Sequence, residues 1–325
     1  VASSSHGRED LARYRKNLPQ LSGGPFLTDG GIETTLIFHE GIALPHFAAF
    51  DLLKTDEGAA ALRKYFRTYA AMARRYAVGC ILESATWRAS ADWGTKLGYS
   101  AAALAEINRK AIGLLQEIRN EYEHGPTRMV ISGCIGPRGD GYKPAALMTV
   151  EAAERYHAMQ AATFRDAEAD MVTAITMTYA AEAIGVARAA QAAGMPVVIS
   201  FTVETDGRLP SGQTLREAIE QVDDATGHAP AYYMINCAHP THFAGALAAG
   251  GPWLERIRGL RANASSKSHA ELDEATELDD GNPVELARQY REQRGKLQKL
   301  NVLGGCCGTD HRHVEEICKA CMPLL

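Results

Sequence analysis

Short apolar runs recur along the chain. Each passes into a polar or glycine-rich turn, and most are followed by a longer segment with apolar residues at helical spacing. The first run, 25–27, leads into Thr28-Asp29-Gly30-Gly31, and a helix is expected over 55–76. A buried strand at 80–82 opens onto the polar stretch 83–88. The next helix is well marked. Ser100 can cap it, and Leu104, Ile107, Ala111, Leu114, Leu115, Ile118 and Tyr122 share one face before Gly125-Pro126 ends it. Strands follow at 129–133, 171–175, 197–201 and 232–236, separated by helices at 149–168, up to Gly194, and at 214–226. Gly194 with Pro196 just beyond it is a natural helix stop. A seventh strand, the least marked, is expected near 260–264, and the charged stretch 265–280 reads as a solvated loop. A helix at 283–297, an apolar run at 301–303 and a helix at 310–321 complete the pattern.

Eight strand–helix alternations describe an α/β chain with a parallel sheet and helices outside it. About 250 residues suffice for a closed (β/α)8 TIM barrel, so 25–325 reads as a single barrel domain preceded by a tail, 1–24. An open doubly wound sheet is the alternative. The barrel is favoured because it brings Asp29, Glu83, Cys237, Cys306 and Cys307 to the mouth at the strands' C-terminal ends.

Composition narrows the partners. The 325 residues are 46% hydrophobic and 22% charged, with a net charge of −5. That balance does not favour nucleic acid. No run approaches the roughly 18 apolar residues of a membrane span, and 1–7 lacks the apolar core of a secretory signal. Seven cysteines at these spacings do not suggest a disulfide framework. A reducing, cytoplasmic setting is expected, with the cysteines as free thiols or metal ligands.

The most unusual stretch is Gly304-Gly305-Cys306-Cys307-Gly308-Thr309, which places two adjacent thiols between glycines at a strand end. Cys237 has the same setting after 232–236. Together the three can supply a zinc ion with thiolates and leave a fourth position for substrate. Three thiolates leave such a centre net negative. It is then poorly suited to activating water, but able to hold an incoming thiol ionised and nucleophilic. For the pair alone, packing or a vicinal disulfide is the competing explanation. Cys80 and Cys134 read as core residues, and Cys318 and Cys321 as incidental helix spacing. His239, His242, His311 and His313 read as surface or capping residues rather than ligands.

With these motifs the chain resembles the zinc-dependent homocysteine S-methyltransferase family. The resemblance runs from about residue 26 to 322. It is carried by the double-cysteine motif and by Asp29-Gly30-Gly31, 132–137, 200–202 and Asn236-Cys237. It implies a (β/α)8 barrel, Zn2+ on Cys237, Cys306 and Cys307, and Asp29 with Gly30 beside the substrate. The implied reaction moves a methyl group from S-methylmethionine, S-adenosylmethionine or a betaine to homocysteine, giving methionine. Asn263 resembles an asparagine that the family keeps after strand seven, and Thr176 falls beside the substrate. One departure stands out. Where the family commonly has a glutamate at the end of strand four, this chain has Ile175, which cannot pair with an ammonium group. Glu83, at the end of strand two, can supply the missing carboxylate, with Asp29 as its catalytic partner. A different thiol acceptor, or a zinc- or thiol-binding relative without catalysis, are the alternatives. Trp87 and Trp93 are candidates to line a donor pocket, since aromatic faces suit onium cations. An aldolase-type barrel is disfavoured by the lack of a lysine at a strand end.

Overall fold

The computed structural model describes residues 12–142, 146–274 and 277–321. Eight parallel strands close into a barrel in sequence order. They are Phe26–Leu27 (β1), Gly79–Glu83 (β2), Met129–Ile135 (β3), Met171–Met177 (β4), Val197–Phe201 (β5), Pro230–Asn236 (β6), Ile257–Ala262 (β7) and Val302–Gly305 (β8). β1 pairs with both β2 and β8, which completes the ring. The chain is therefore a (β/α)8 barrel, as the alternation of strands and helices implied. No described helix is long and apolar enough to cross a membrane.

The helices begin where short polar side chains can satisfy their free N–H groups. Thr55, Ser100 and Thr149 each accept from the backbone three residues on, at the heads of Asp56–Arg75, Ala101–Tyr122 and Val150–Asp166. Thr214 and Glu217 form a reciprocal capping box at the head of Leu215–Thr226. Gly194 takes the left-handed conformation, φ 69°, beyond the helix Ala180–Ala192.

One apolar cluster fills the barrel, including Phe26, Ile81, Val130, Met171, Val198, Tyr232 and Val302. Leu18 belongs to the same cluster. The described part of the stretch read as a tail thus packs onto the barrel floor. There the Tyr14 N–H donates to Asp170 Oδ1 at 2.9 Å, and Asn301 Nδ2 donates to the Gln20 carbonyl at 2.8 Å. Residues 1–11 lie outside the described residues. The larger cluster lies between the sheet and the helices.

Three segments differ from the expectations. β7 begins at Ile257 rather than near residue 260, because Arg258 and Arg261 interrupt its apolar pattern. The 265–280 stretch is folded back in part: Ser268 and Glu271 form a capping box on a short helix, His269–Asp273, and His269 is buried. β4 carries an irregularity. Its register with β5 shifts between Ala174 and Met177, and Thr176 has φ 65°. Such a bulge re-aims side chains, and Ile175 lies within it.

Candidate metal centre and substrate site

The thiol cluster is built by close backbone approach. A Cβ on Gly304 would sit 1.8 Å from Thr28 Oγ1, and one on Gly305 would sit 2.1 Å from Thr309 Oγ1. Gly308 has φ 78°. Only glycine fits the first two positions, and it is the natural residue at the third. The loop is then pinned: the Cys306 N–H donates to the Ala262 carbonyl at 2.9 Å, and Thr309 Oγ1 donates to the Cys306 carbonyl at 2.6 Å. Cys237 is held at φ 56°, a strained value for a side-chain-bearing residue. Its carbonyl accepts from Thr202 Oγ1 at 3.2 Å and from His269 Nε2 at 2.6 Å.

The result is that the Sγ atoms of Cys237, Cys306 and Cys307 all lie within 4.8 Å of one another, with Cys237 and Cys307 at 3.4 Å. Hydrogen bonds from Cys237 and Cys307 push Cys306 well below the usual thiol range. The bond to Cys306 holds Cys237 up as a thiol. Three thiolates this close repel one another. All three ionise together only against a cation, so the donor set fits a thiophilic divalent metal. The Tyr142 hydroxyl lies 3.2 Å from Cys237 Sγ and 3.3 Å from Cys307 Sγ, with its ring 4.2 Å from that of His269. Burial and the neighbouring sulfurs keep that hydroxyl protonated.

Beside the thiols lies a buried ion network. Arg261, from β7, pairs with Asp29 and with Glu83, the latter through Nη1 to Oε2 at 3.2 Å. It also donates from Nε to the Gly305 carbonyl at 3.2 Å. Tyr65 donates to Asp29 Oδ2 at 2.9 Å. Burial raises Asp29 above the usual carboxylate range and pushes Glu83 up to about 7, even against Arg261. Burial works against the charge on Arg261, and the two carboxylates more than restore it. Ser132 and Thr173 stabilise the charged form of Glu83, but its Oε1, like Asn263 Oδ1, is buried with no hydrogen bond of good geometry among the described residues. The side chain of Asn236 ties the site together. Its Oδ1 accepts from the Thr176 N–H at 3.0 Å and from Ser200 Oγ at 2.6 Å, and its Nδ2 lies 3.9 Å from Cys306 Sγ. Gly30 lies against Tyr69, whose hydroxyl would be 2.7 Å from an added Cβ.

The family model for homocysteine S-methyltransferase matches residues 26–321. The chain belongs to the homocysteine S-methyltransferase family. By that membership it is a methyltransferase of the homocysteine S-methyltransferase type. Solved structures of the homocysteine methyltransferase MmuM from Escherichia coli share the fold. The oxidized form is 19% identical with a TM-score of 0.74, over 90% of this chain and 94% of that one. The metallated form is 18% identical with a TM-score of 0.74, over 94% and 98%. The apo form is 18% identical with a TM-score of 0.67, over 93% and 99%. No curated protein matches by sequence.

In this homocysteine S-methyltransferase, the residues singled out from the sequence meet at the strands' C-terminal ends. Cys237, Cys306 and Cys307 form the cluster, Asp29 and Glu83 meet on Arg261, and Thr176 joins through Asn236. The Asn263 N–H bonds to the Ala238 carbonyl at 3.1 Å, next to Cys237. His239 caps the helix Pro240–Ala248 rather than joining the cluster, and His242 Nε2 bonds the Ser266 carbonyl at 2.9 Å. Cys80 and Cys134 are buried core thiols. Arg261 and Tyr142 were not singled out from the sequence. Arg261 sat in the weakest strand, and Tyr142 in a glycine-rich loop with no periodicity. Asn236 was marked as part of the Asn236-Cys237 motif, but without the tie it makes between Thr176, Ser200 and Cys306.

Both tryptophans already have cationic neighbours. Arg88 lies 4.3 Å from the Trp87 ring centroid and 3.8 Å from that of Trp93, and Lys96 lies 3.9 Å from Trp93. Positive charge already rests on both indoles, so a cationic donor docking there would meet like charge.

Proposed function

We propose that this chain transfers a methyl group from a sulfonium or ammonium donor to the thiol of homocysteine, giving methionine, with zinc on Cys237, Cys306 and Cys307. The observation that carries this is the three-thiol cluster beside a buried network containing an unpartnered carboxylate oxygen. When bound, the ion supplies positive charge that keeps a thiol ionised at neutral pH.

The chain's own residues do the rest. The acceptor loses its thiol proton to solvent, and its sulfur lone pair forms a new bond to the methyl carbon. The donor's bond to that carbon breaks, and the electron pair stays on the leaving sulfur or nitrogen, which departs neutral. Glu83 Oε1, unpartnered among the described residues, receives the acceptor's ammonium group. Asp29 sits across Arg261 from it, and the network fixes both carboxylates in place. Gly30 keeps the Asp29 turn beside the substrate by packing against Tyr69, and Thr176 and Asn263 supply polar groups around the substrate. The barrel, 25–325, acts as one catalytic domain, and a reducing cytoplasm suits its free thiols.

A different thiol acceptor is the second reading, favoured by Ile175 where a carboxylate is common in the family. Metal analysis tests the first part: about one zinc per chain is expected, falling away in Cys306→Ala. Metal-free wild type, purified under reducing conditions, would overturn it. A panel of acceptor thiols then separates homocysteine from the second reading.

A further inference from the structure

A methyl donor of this class carries a positive charge next to the carbon it gives up. The indoles of Trp87 and Trp93 already carry Arg88 and Lys96. Asp29 and Glu83 are engaged by Arg261. The free oxygen of Glu83 is assigned to the acceptor above, and one further carboxylate lies near the cluster. Glu33 is half-buried, and its carboxylate has its own backbone N–H as a partner but no side-chain bond or ion pair among the described residues. Burial pushes Glu33 up to about 7, with Cys306 and Asp29 adding to the rise and Arg88 opposing it, so a cation beside it would favour its charged form.

Its position is fixed by the thiol loop itself. The neighbouring Thr34 accepts the Gly308 N–H at 2.9 Å, and a Cβ on Gly31 would lie 2.6 Å from the Cys306 carbonyl. Glu33 also directly precedes a π-helical turn, Thr34–His39. Such turns widen a helix and frequently mark functional sites.

We propose that Glu33 pairs with the cationic centre of the methyl donor and holds it beside the acceptor sulfur. The proposal rests on the methyl-transfer reading above. Its kinetic signature follows from charge. In the reaction a thiolate and an onium become two neutral groups, so the donor's positive charge fades toward the transition state. Glu33 therefore binds the ground state more tightly than the transition state. Its loss raises the donor KM and leaves kcat unchanged or slightly higher.

The test measures equilibrium binding to zinc-loaded wild type and Glu33→Gln by calorimetry. The ligands are S-methylmethionine, S-adenosylmethionine, betaine, homocysteine, and methionine, the last as the thioether that lacks the charged sulfur. A charged hydrogen-bonded contact predicts about a tenfold or greater loss for the donor that binds wild type. Homocysteine and methionine should stay within about twofold, and Glu33→Asp should recover much of the loss. Zinc content and thermal midpoint establish that each variant is folded, and Glu33→Ala, which also removes the charge, serves if Glu33→Gln does not fold. The proposal is overturned if donor affinity changes by less than about twofold, if the loss falls on homocysteine instead, or if none of the three donors binds wild type. Failure of the methyl-transfer reading has a separate readout: no methionine formed by wild type with any donor.

Discussion

Replacing Arg261 with methionine removes a cation that pairs with two buried carboxylates, Asp29 and Glu83. The side chain keeps its apolar stem, so the change is mainly electrostatic. At an effective dielectric near 20, a charge pair at the 3.2 Å separation of Arg261 and Glu83 is worth about 5 kcal/mol. Asp29 adds a second contact of the same kind. Desolvation of the guanidinium offsets part of this. The expected net loss is about 3–5 kcal/mol, the cost of leaving a buried charge unpaired. In a barrel of this size that is a fall in Tm on the order of 10 °C.

The pH dependence makes the test specific. Burial already raises the folded-state values of Asp29 and Glu83, with Glu83 pushed up to about 7. Without Arg261 both rise further. A carboxyl whose folded value lies above its unfolded value costs stability once ionised, and that cost disappears as protons return. The gap between wild type and Arg261→Met should therefore be wide at pH 8 and narrow toward pH 5.5. Thermal unfolding at both pH values measures it. A gap that is constant, or wider at pH 5.5, would show that Arg261 does not serve as the shared countercharge.

Other changes probe other parts of the site. Glu83→Gln should raise the acceptor KM about tenfold and leave the donor KM unchanged; an unmoved acceptor KM would remove Glu83 from substrate binding. Tyr142→Phe removes the hydroxyl that lies on Cys237 and Cys307 and competes with an incoming thiol. Acceptor binding should tighten about fivefold, and weaker binding would mean that Tyr142 assists the acceptor instead. Gly304→Ala drives a methyl group into Thr28, so Tm should fall by the equivalent of about 1–3 kcal/mol or more; an unchanged midpoint would contradict the packing described for the thiol loop.

The barrel was legible because buried parallel strands and amphipathic helices carry different periods, and Thr55, Ser100, Thr149 and Thr214 announce their helices by local chemistry. The thiol cluster was legible because Cys237 and Cys306-Cys307 all follow strands, and a closed barrel brings strand ends together. What escaped was set by contacts distant in sequence. Arg261 looked like a break in a strand, and only the closed sheet shows it turned inward between Asp29 and Glu83. The 265–280 stretch looked solvated by composition, yet His269 returns to bond the Cys237 carbonyl. Trp87 and Trp93 looked open to a ligand because the sequence does not show that Arg88 and Lys96 lie on them.

The central claim is transfer of a methyl group to the homocysteine sulfur at this thiol centre. The direct measurement incubates zinc-loaded protein with homocysteine labelled in its carbon chain and S-methylmethionine, S-adenosylmethionine or betaine, and follows label into methionine. Label should appear with at least one donor, and Cys306→Ala should abolish it. Zinc-loaded, folded wild type that labels no methionine with any of the three would contradict the account.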